Sequence, residues 1–420
     1  MQRDDLERFN EWWFTGRVRK ELALPFKRYA FQRIIESLEE RQVLIITGLR
    51  RVGKTTLLYQ VIEKLLEARS SNEILYFSFE ESGAGLREVL ESYEKYVLMK
   101  PFEEVDKAFI FLDEIQYARN WPSVLKQFYD LYPNLKFLVS GSSSLLLSKE
   151  AMEKLAGRFF FLELKPLIFL EFLEMKGIKR DGLDLFSRRM EAHFIDYLRK
   201  SGFPEIVNWG NELKISEYIK NSVIDRVIMR DIPLVFKSRD MTLLDNIIKF
   251  ILSNPGAILN INSLSENWGK SKITVSNYLK FLETSLLIRS LSNFRPSFLS
   301  SSRKLKKFYP ATSSLIFSHS RERFEKNLGS ALETYVVNTL NAKYYFREGK
   351  REIDVILKDG ETLPIEVKES VNKEELESFS KLIKYVNAKK GKIITLSQEM
   401  KKGNVEVCPA YLIEKAFDLV

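Results

Sequence analysis

The 420-residue sequence contains one cysteine, Cys408, and two histidines, His193 and His319. A single thiol can neither close an intrachain disulfide nor build a cysteine cage, and so few imidazoles argue against a zinc site. No apolar run approaches the roughly 18 residues that a membrane span needs. The opening residues, Met1-Gln2-Arg3-Asp4-Asp5-Leu6-Glu7, lack the apolar stretch of a secretory leader. These absences lead to the expectation of a cytoplasmic protein with no membrane association.

What is present is an ordinary globular composition, 45% hydrophobic and 29% charged. One core does not suffice at this length, and about two to four domains are expected. The formal net charge of +9 favours an anionic partner such as nucleic acid, a nucleotide or an acidic surface. A Lys- and Glu-rich surface can also come out basic without one.

The most informative stretch is Gly48-Leu49-Arg50-Arg51-Val52-Gly53-Lys54-Thr55, followed by Thr56. It follows the apolar run Val43-Leu44-Ile45-Ile46 and leads into a helix-forming segment from Leu57 to Leu66. G-x-x-x-x-G-K-[ST] between strand and helix is the arrangement of a phosphate-binding loop. Glycines let the backbone fold into a nest whose N–H groups, with a helix N-terminus, all point at one anion. Lys54 is expected to neutralise the β- and γ-phosphates of ATP, and the Thr55 hydroxyl to ligate magnesium.

From Val43 to about Leu164, short apolar runs alternate with helical segments, as in a parallel sheet with crossover helices. The third run ends in Phe111-Leu112-Asp113-Glu114, the shape of a Walker B element. Asp113 is expected to hold the magnesium, and Glu114 to accept a proton from the attacking water or to fix its orientation. The fourth run ends in Ser140-Gly141-Ser142-Ser143-Ser144, where Ser140 is a candidate γ-phosphate sensor, although serine-rich turns are also ordinary helix caps. Arg158 is a candidate phosphate contact, in cis or from a neighbouring subunit, and Glu80 is of the same standing.

These motifs, with Trp121 shortly after Asp113 and with Leu155-Ala156-Gly157-Arg158, together resemble the prokaryotic AAA+-type ATPases fused to a C-terminal endonuclease-like domain. The resemblance implies an ATP-binding α/β core, a helical lid, a winged helix and a terminal domain of the restriction-endonuclease fold. The expected architecture is α/β multidomain: a helical segment over 1–40, a P-loop core with a parallel sheet over 41–165 and a helical lid over 166–240. A winged helix-turn-helix over 241–315 and a nuclease-like domain over 320–420 follow.

The residues support the later parts in their own right. Leu243, Leu244, Ile247, Ile248, Ile251 and Leu252 form a helical stripe closed by Asn254-Pro255-Gly256. Two shorter helices and the strand Leu286-Leu287-Ile288-Arg289 then read as a winged helix-turn-helix. Lys270, Lys272, Thr274, Ser276, Asn277 and Lys280 would face a DNA groove, with Arg303, Lys304, Lys306 and Lys307 on the wing contacting phosphates. The same module can equally serve as a structural or protein-contact element.

Farther on, two strands joined at Asp359-Gly360 are expected to bring Asp354 beside Ile365, one step from Glu366 and on the way to Lys368. Two carboxylates and a lysine suit a divalent metal, Mg2+ or Mn2+, acting on a phosphodiester. The pattern matches that of PD-(D/E)xK nucleases, with Glu333 in the place of their helix carboxylate. A salt-bridged surface hairpin or a degenerate nuclease fold are the alternatives. The expected function is a magnesium-dependent ATPase coupled to a DNA-binding winged helix and a nuclease-like site. The alternative is a nucleotide-dependent switch or scaffold without DNA cleavage. An oligomer is allowed for, and the source of any arginine finger is not legible.

Overall fold

The computed structural model describes residues 1–80, 82–141, 153–178, 188–236, 240–295 and 305–419. Ser142, Ser143, Ser144, Arg303 and Lys304 lie outside the described residues. Two compact units divide between Lys165 and Pro166.

In the first unit, β1 (Val43–Thr47), β2 (Ile74–Ser78), β3 (Ala108–Asp113), β4 (Leu135–Ser140) and β5 (Phe159–Glu163) form a parallel sheet in the order β2-β3-β4-β1-β5. β1, β3 and β4 are buried along their whole length. Strands covered on both faces read as unbroken apolar runs, which is why these segments stand out in the sequence. Because all strands run the same way, the ends of β1, β3 and β4 deliver the phosphate loop, Asp113 and Ser140 to one edge of the sheet.

Residues 1–40 belong to this same unit. Their task is to close the edge strand β2. The Asn10 carboxamide donates to the Tyr76 carbonyl at 2.8 Å and accepts from the Tyr76 N–H at 2.7 Å, replacing a neighbouring strand. The Trp12 and Trp13 indoles both donate to the Ile74 carbonyl, at 3.2 and 2.9 Å. An uncovered edge would invite pairing with another chain.

The second unit starts with helices, among them Phe169–Met175 and Arg188–Lys200, and continues into a nine-stranded mixed sheet. Its strands are β6 (Ala257–Leu259), β7 (Ile288–Asn293), β8 (Lys306–Pro310), β9 (Tyr344–Glu348), β10 (Arg351–Asp359), β11 (Glu361–Val367), β12 (Gly391–Thr395), β13 (Met400–Lys402) and β14 (Val405–Pro409). The order is β13-β14-β12-β11-β10-β9-β7-β8-β6. The sequence places a domain boundary between 315 and 320, yet β7 pairs in parallel with β9 through Ser292–Tyr344 and Asn293–Tyr345. The strands of the expected wing and those of the expected nuclease-like domain thus share one sheet. The pairing is non-local, so no local pattern announces it.

Three helices, Met241–Ser253, Ile261–Asn267 and Lys272–Thr284, precede β7. The stripe Leu243, Leu244, Ile247, Ile248, Ile251 and Leu252 is buried, as its spacing requires. A second apolar core gathers Phe346, Ile353, Ile356, Leu376, Phe379, Ile393 and Val407. The helix Leu328–Thr339 packs against β8 and β11 and so brings Glu333 toward the strands.

Candidate functional site

The loop after β1 needs its glycines for two different reasons. Gly48 lies at φ 152°, and a Cβ there would stand 2.5 Å from the Leu164 carbonyl oxygen. Gly53 lies at φ 99° and caps the helix Lys54–Leu65 from a left-handed conformation that other residues avoid. Arg51 also takes a positive φ, 65°. Lys54 is buried, and its ammonium donates to the Gly48 and Leu49 carbonyls at 3.1 and 3.0 Å. Arg28 fastens the loop from behind, donating to the Val52 carbonyl at 2.8 Å and to that of Lys165 at 2.9 Å.

Asp113, buried at the end of β3, is the hub. Its Oδ2 accepts from Thr55 Oγ1 at 2.7 Å and from the Tyr76 hydroxyl at 2.9 Å. Its Oδ1 accepts from Ser140 Oγ and, at 3.1 Å, from the Glu114 N–H. Glu114 itself adopts a left-handed backbone, φ 50°, and its carboxylate accepts from the Gln116 amide. Arg50 reaches the Glu80 carboxylate at 3.4 Å and the Tyr117 hydroxyl at 3.3 Å. Burial pushes the Tyr59 phenol up to about 12 and holds that of Tyr76 well above the usual range. Tyr76 stays protonated at neutral pH and keeps its hydroxyl proton for Asp113.

Lys54, Thr55, Asp113, Glu114 and Ser140 thus converge, but Arg158 does not. β5 runs parallel to β1 with Phe159 opposite Val43, and the Val43 N–H donates to the Arg158 carbonyl at 2.9 Å. Arg158 therefore sits at the amino end of the sheet, about 15 Å from the loop end at roughly 3.3 Å per strand residue. Its guanidinium grips Asp130 at 2.8 and 3.2 Å. The expectation of a phosphate contact in cis is corrected by strand direction.

A second constellation lies in the other unit. Val355 pairs with Ile365 and Asp359 with Glu361, which sets Asp354 directly opposite Glu366 and corrects the expected register by one residue. Gly360 alone forms the tip, where a two-residue turn is expected from the sequence. Lys368 Nζ is 3.5 Å from Glu366. The Val367 N–H donates to Asp354 at 2.8 Å, and the Tyr309 hydroxyl donates to Glu333 at 2.6 Å.

Lys307 contradicts its expected place on a solvated wing. Only 5% of its side chain is exposed, and its ammonium lies 2.6 Å from Glu352, 3.5 Å from Glu333 and 3.7 Å from Asp354. Burial alone would lower the pKa of this ammonium, but Glu333, Asp354 and Glu352 hold it above the ordinary lysine value. Burial and Asp354 raise Glu333 to about 7 and Glu366 to about 8. Asp354 is raised too, again by burial. Glu366 Oε2 is buried without a hydrogen-bond partner. Among the described residues, no group of three or more His, Cys, Asp or Glu side chains is disposed to hold a metal ion. Of the residues expected to hold a second metal, Glu333 and Asp354 have the Lys307 ammonium beside them, and Glu366 has that of Lys368. Lys306, the other described lysine of the expected wing, donates to Ser290 at 3.1 Å.

Tyr76, Tyr309 and Glu352 are the site residues that sequence reasoning passes over, while Lys307 is read there as a wing residue and Gln116 is given no role. Tyr76, Tyr309 and Glu352 lie outside every motif, and Gln116 only closes the Phe111-Leu112-Asp113-Glu114-Ile115-Gln116 run.

Residues 40–173 match a family described as an AAA domain. Residues 191–323 and 328–413 match families described as domains of unknown function, DUF8612 and DUF4143. An uncharacterized protein of Methanocaldococcus jannaschii is 27% identical over 386 residues, covering 86% of this chain and 84% of its own. One of Haemophilus influenzae is 27% identical over 271 residues, covering 63% of this chain and 66% of its own. The chain thus spans slightly less than two thirds of the latter relative. Among solved structures, a Walker-type ATPase of Pyrococcus abyssi is 19% identical with a TM-score of 0.46, covering 72% of this chain and 97% of its own. The Orc1 protein of Aeropyrum pernix, solved in complex with DNA, is 15% identical with a TM-score of 0.35, covering 74% and 98%. Likeness at that level carries no functional meaning. The family match, the parallel sheet and the phosphate loop agree that the first unit holds a P-loop ATPase core of the AAA type. No helix among the described residues is long and apolar enough to cross a membrane.

Proposed function

We propose that the chain is a magnesium-dependent ATP hydrolase whose nucleotide state governs how its second unit engages DNA. The observation that supports the first half is the 2.7 Å hydrogen bond between Thr55 Oγ1 and Asp113 Oδ2, which joins residues 58 positions apart. A hydroxyl and a carboxylate so placed fit a magnesium ion, which takes oxygen ligands and keeps several waters. Bound there, the ion would neutralise charge developing on the phosphate oxygens. Lys54 would exchange the Gly48 and Leu49 carbonyls for β- and γ-phosphate oxygens. Leu49, Arg50, Arg51, Val52 and Thr56 complete the cradle, Ser140 meets the γ-phosphate, and Glu114 orients or deprotonates the attacking water. Calorimetry and phosphate release test this. Lys54→Ala is expected to lose ATP affinity, and Asp113→Asn to bind nucleotide but not turn it over. A wild type with no ATP affinity in magnesium would end the proposal.

The DNA half rests on a winged-helix reading of residues 241–315. Lys272, Ser276, Asn277 and Lys280 are exposed on the helix Lys272–Thr284, as a groove-reading helix requires. Binding to duplex DNA should weaken steeply with salt, and the salt slope should fall in Lys272→Ala/Lys280→Ala.

For the carboxylates of the second unit, the Lys307 contacts favour the reading without cleavage, in which a degenerate nuclease-like fold serves as a switch or scaffold. An ammonium among Glu333, Glu352 and Asp354 competes with any divalent cation for them. Plasmid nicking in magnesium or manganese that disappears in Asp354→Ala would restore the nuclease reading.

A further inference from the structure

Tyr76 lies in the middle of an edge strand whose neighbours include Phe77 and Phe79, so a phenylalanine would satisfy the packing there. The residue is 2% exposed, and a buried hydroxyl is costly unless it is hydrogen-bonded. Tyr76 is opposite Phe111, two residues before Asp113, and its side chain lies on the Asp113 face of the sheet. The phenol spans that diagonal and donates to Asp113 Oδ2 at 2.9 Å.

The remaining donors to Asp113 differ in kind. Thr55 Oγ1 shares Oδ2 with Tyr76, while Ser140 Oγ and the Glu114 N–H take Oδ1. A carboxylate offers about four acceptor positions, so Asp113 is filled. A Thr55 hydroxyl that turns its oxygen toward a cation must turn its proton elsewhere, and Oδ2 then keeps Tyr76 as its fixed donor. Tyr76 is itself immobilised on both sides. Asn10 holds its N–H and its carbonyl at 2.7 and 2.8 Å, and the Tyr59 ring lies 4.6 Å away, centroid to centroid.

We propose that Tyr76 is the positioning residue of the nucleotide site, holding Asp113 Oδ2 in the orientation in which it receives the divalent cation, with Asn10 and Tyr59 holding Tyr76. The inference rests on the magnesium-ATP reading of that site. Tyr76 touches neither phosphate nor cation, so its signature is the magnesium requirement rather than nucleotide affinity.

The full chain carrying Tyr76→Phe keeps the ring and loses the hydroxyl. Its unfolding midpoint and its affinity for ATP in excess EDTA should match the wild type. The magnesium concentration for half-maximal ATP hydrolysis should rise roughly tenfold or more, as when a partner of a metal ligand is removed. Tyr59→Leu, which removes the ring packed on Tyr76, should move the magnesium requirement in the same direction by less, and it decides the matter if Tyr76→Phe fails to fold. Equal magnesium requirements in the wild type and the folded variants would overturn the role of Tyr76 while leaving the ATPase reading intact. A wild type without divalent-dependent turnover would overturn both.

Discussion

Lys307 Nζ stands 3.7 Å from an oxygen of Asp354 and 2.6 Å from Glu352, with only 5% of its side chain exposed. Removing the ammonium leaves these carboxylates facing one another, with Glu352 partly open to solvent and Glu333 and Asp354 more enclosed. Breaking such a cluster by deleting one partner costs on the order of 3–5 kcal/mol. Lys307→Met should therefore lower the denaturant midpoint sharply at pH 8 and less at pH 5.5, where the carboxyls can go neutral. Equal losses at both pH values would mean that the lysine acts through packing alone.

The same pocket sets a pH dependence in the wild type. Glu333 titrates at about 7 and Glu366 at about 8, both raised first by burial and then by Asp354. Their ordinary value is 4.5, so between about 4.5 and 8 the folded chain binds more protons than the unfolded one. Stability then falls as pH rises through that window. These two groups contribute fully below 4.5 and lose their contribution above 8. Guanidinium unfolding at pH 5.5, 7 and 8.5 should show a falling midpoint, and Glu366→Gln should flatten the slope. A midpoint that rises across the window would exclude the raised carboxyls.

Asn10 supplies an independent test of the first unit. Its carboxamide makes both backbone bonds of Tyr76 and a third, at 2.7 Å, to the Leu6 carbonyl. Asn10→Ala leaves a buried N–H and a buried carbonyl unpaired, at about 1–3 kcal/mol each. Hydrogen exchange at Tyr76 should accelerate and the unfolding midpoint should drop. An unchanged exchange rate would mean that the edge of β2 is held by Trp12 and Trp13 alone.

What could be read in advance divides along a physical line. The glycine spacing of the phosphate loop, Asp113 and Ser140 are local facts: a turn, and the ends of apolar strands that a parallel sheet aligns. Tyr76 is hidden because a tyrosine in an apolar strand reads as packing, and its partner comes 37 residues later. Lys307 reads as surface charge because lysine is mostly exposed; its three carboxylates lie on a helix and a strand that follow. The register of β10 and β11 slips by one because Asp359-Gly360 suggests a two-residue turn, whereas Gly360 alone makes the tip. The shared nine-stranded sheet depends on β7 finding β9 across a long connection.

Gly48 offers the sharpest check on the loop itself. Its φ of 152° lies outside the range that residues with a Cβ prefer, and a methyl group would press on the Leu164 carbonyl at 2.5 Å and on Val52 Cγ2 at 3.2 Å. Leu164 cannot withdraw freely, because its N–H is bonded to the Thr47 carbonyl at 2.8 Å in the same strand pairing. The strain must then be relieved by the loop, whose Gly48 and Leu49 carbonyls seat the Lys54 ammonium. Gly48→Ala is therefore expected to weaken ATP binding at least tenfold while the unit remains folded, since the sheet core of Ile45, Ile110 and Val139 is untouched. Calorimetry against ATP, with circular dichroism on the same sample, separates the two effects. Wild-type affinity in a folded Gly48→Ala chain would show that the close approach to Leu164 has no part in shaping the anion cradle.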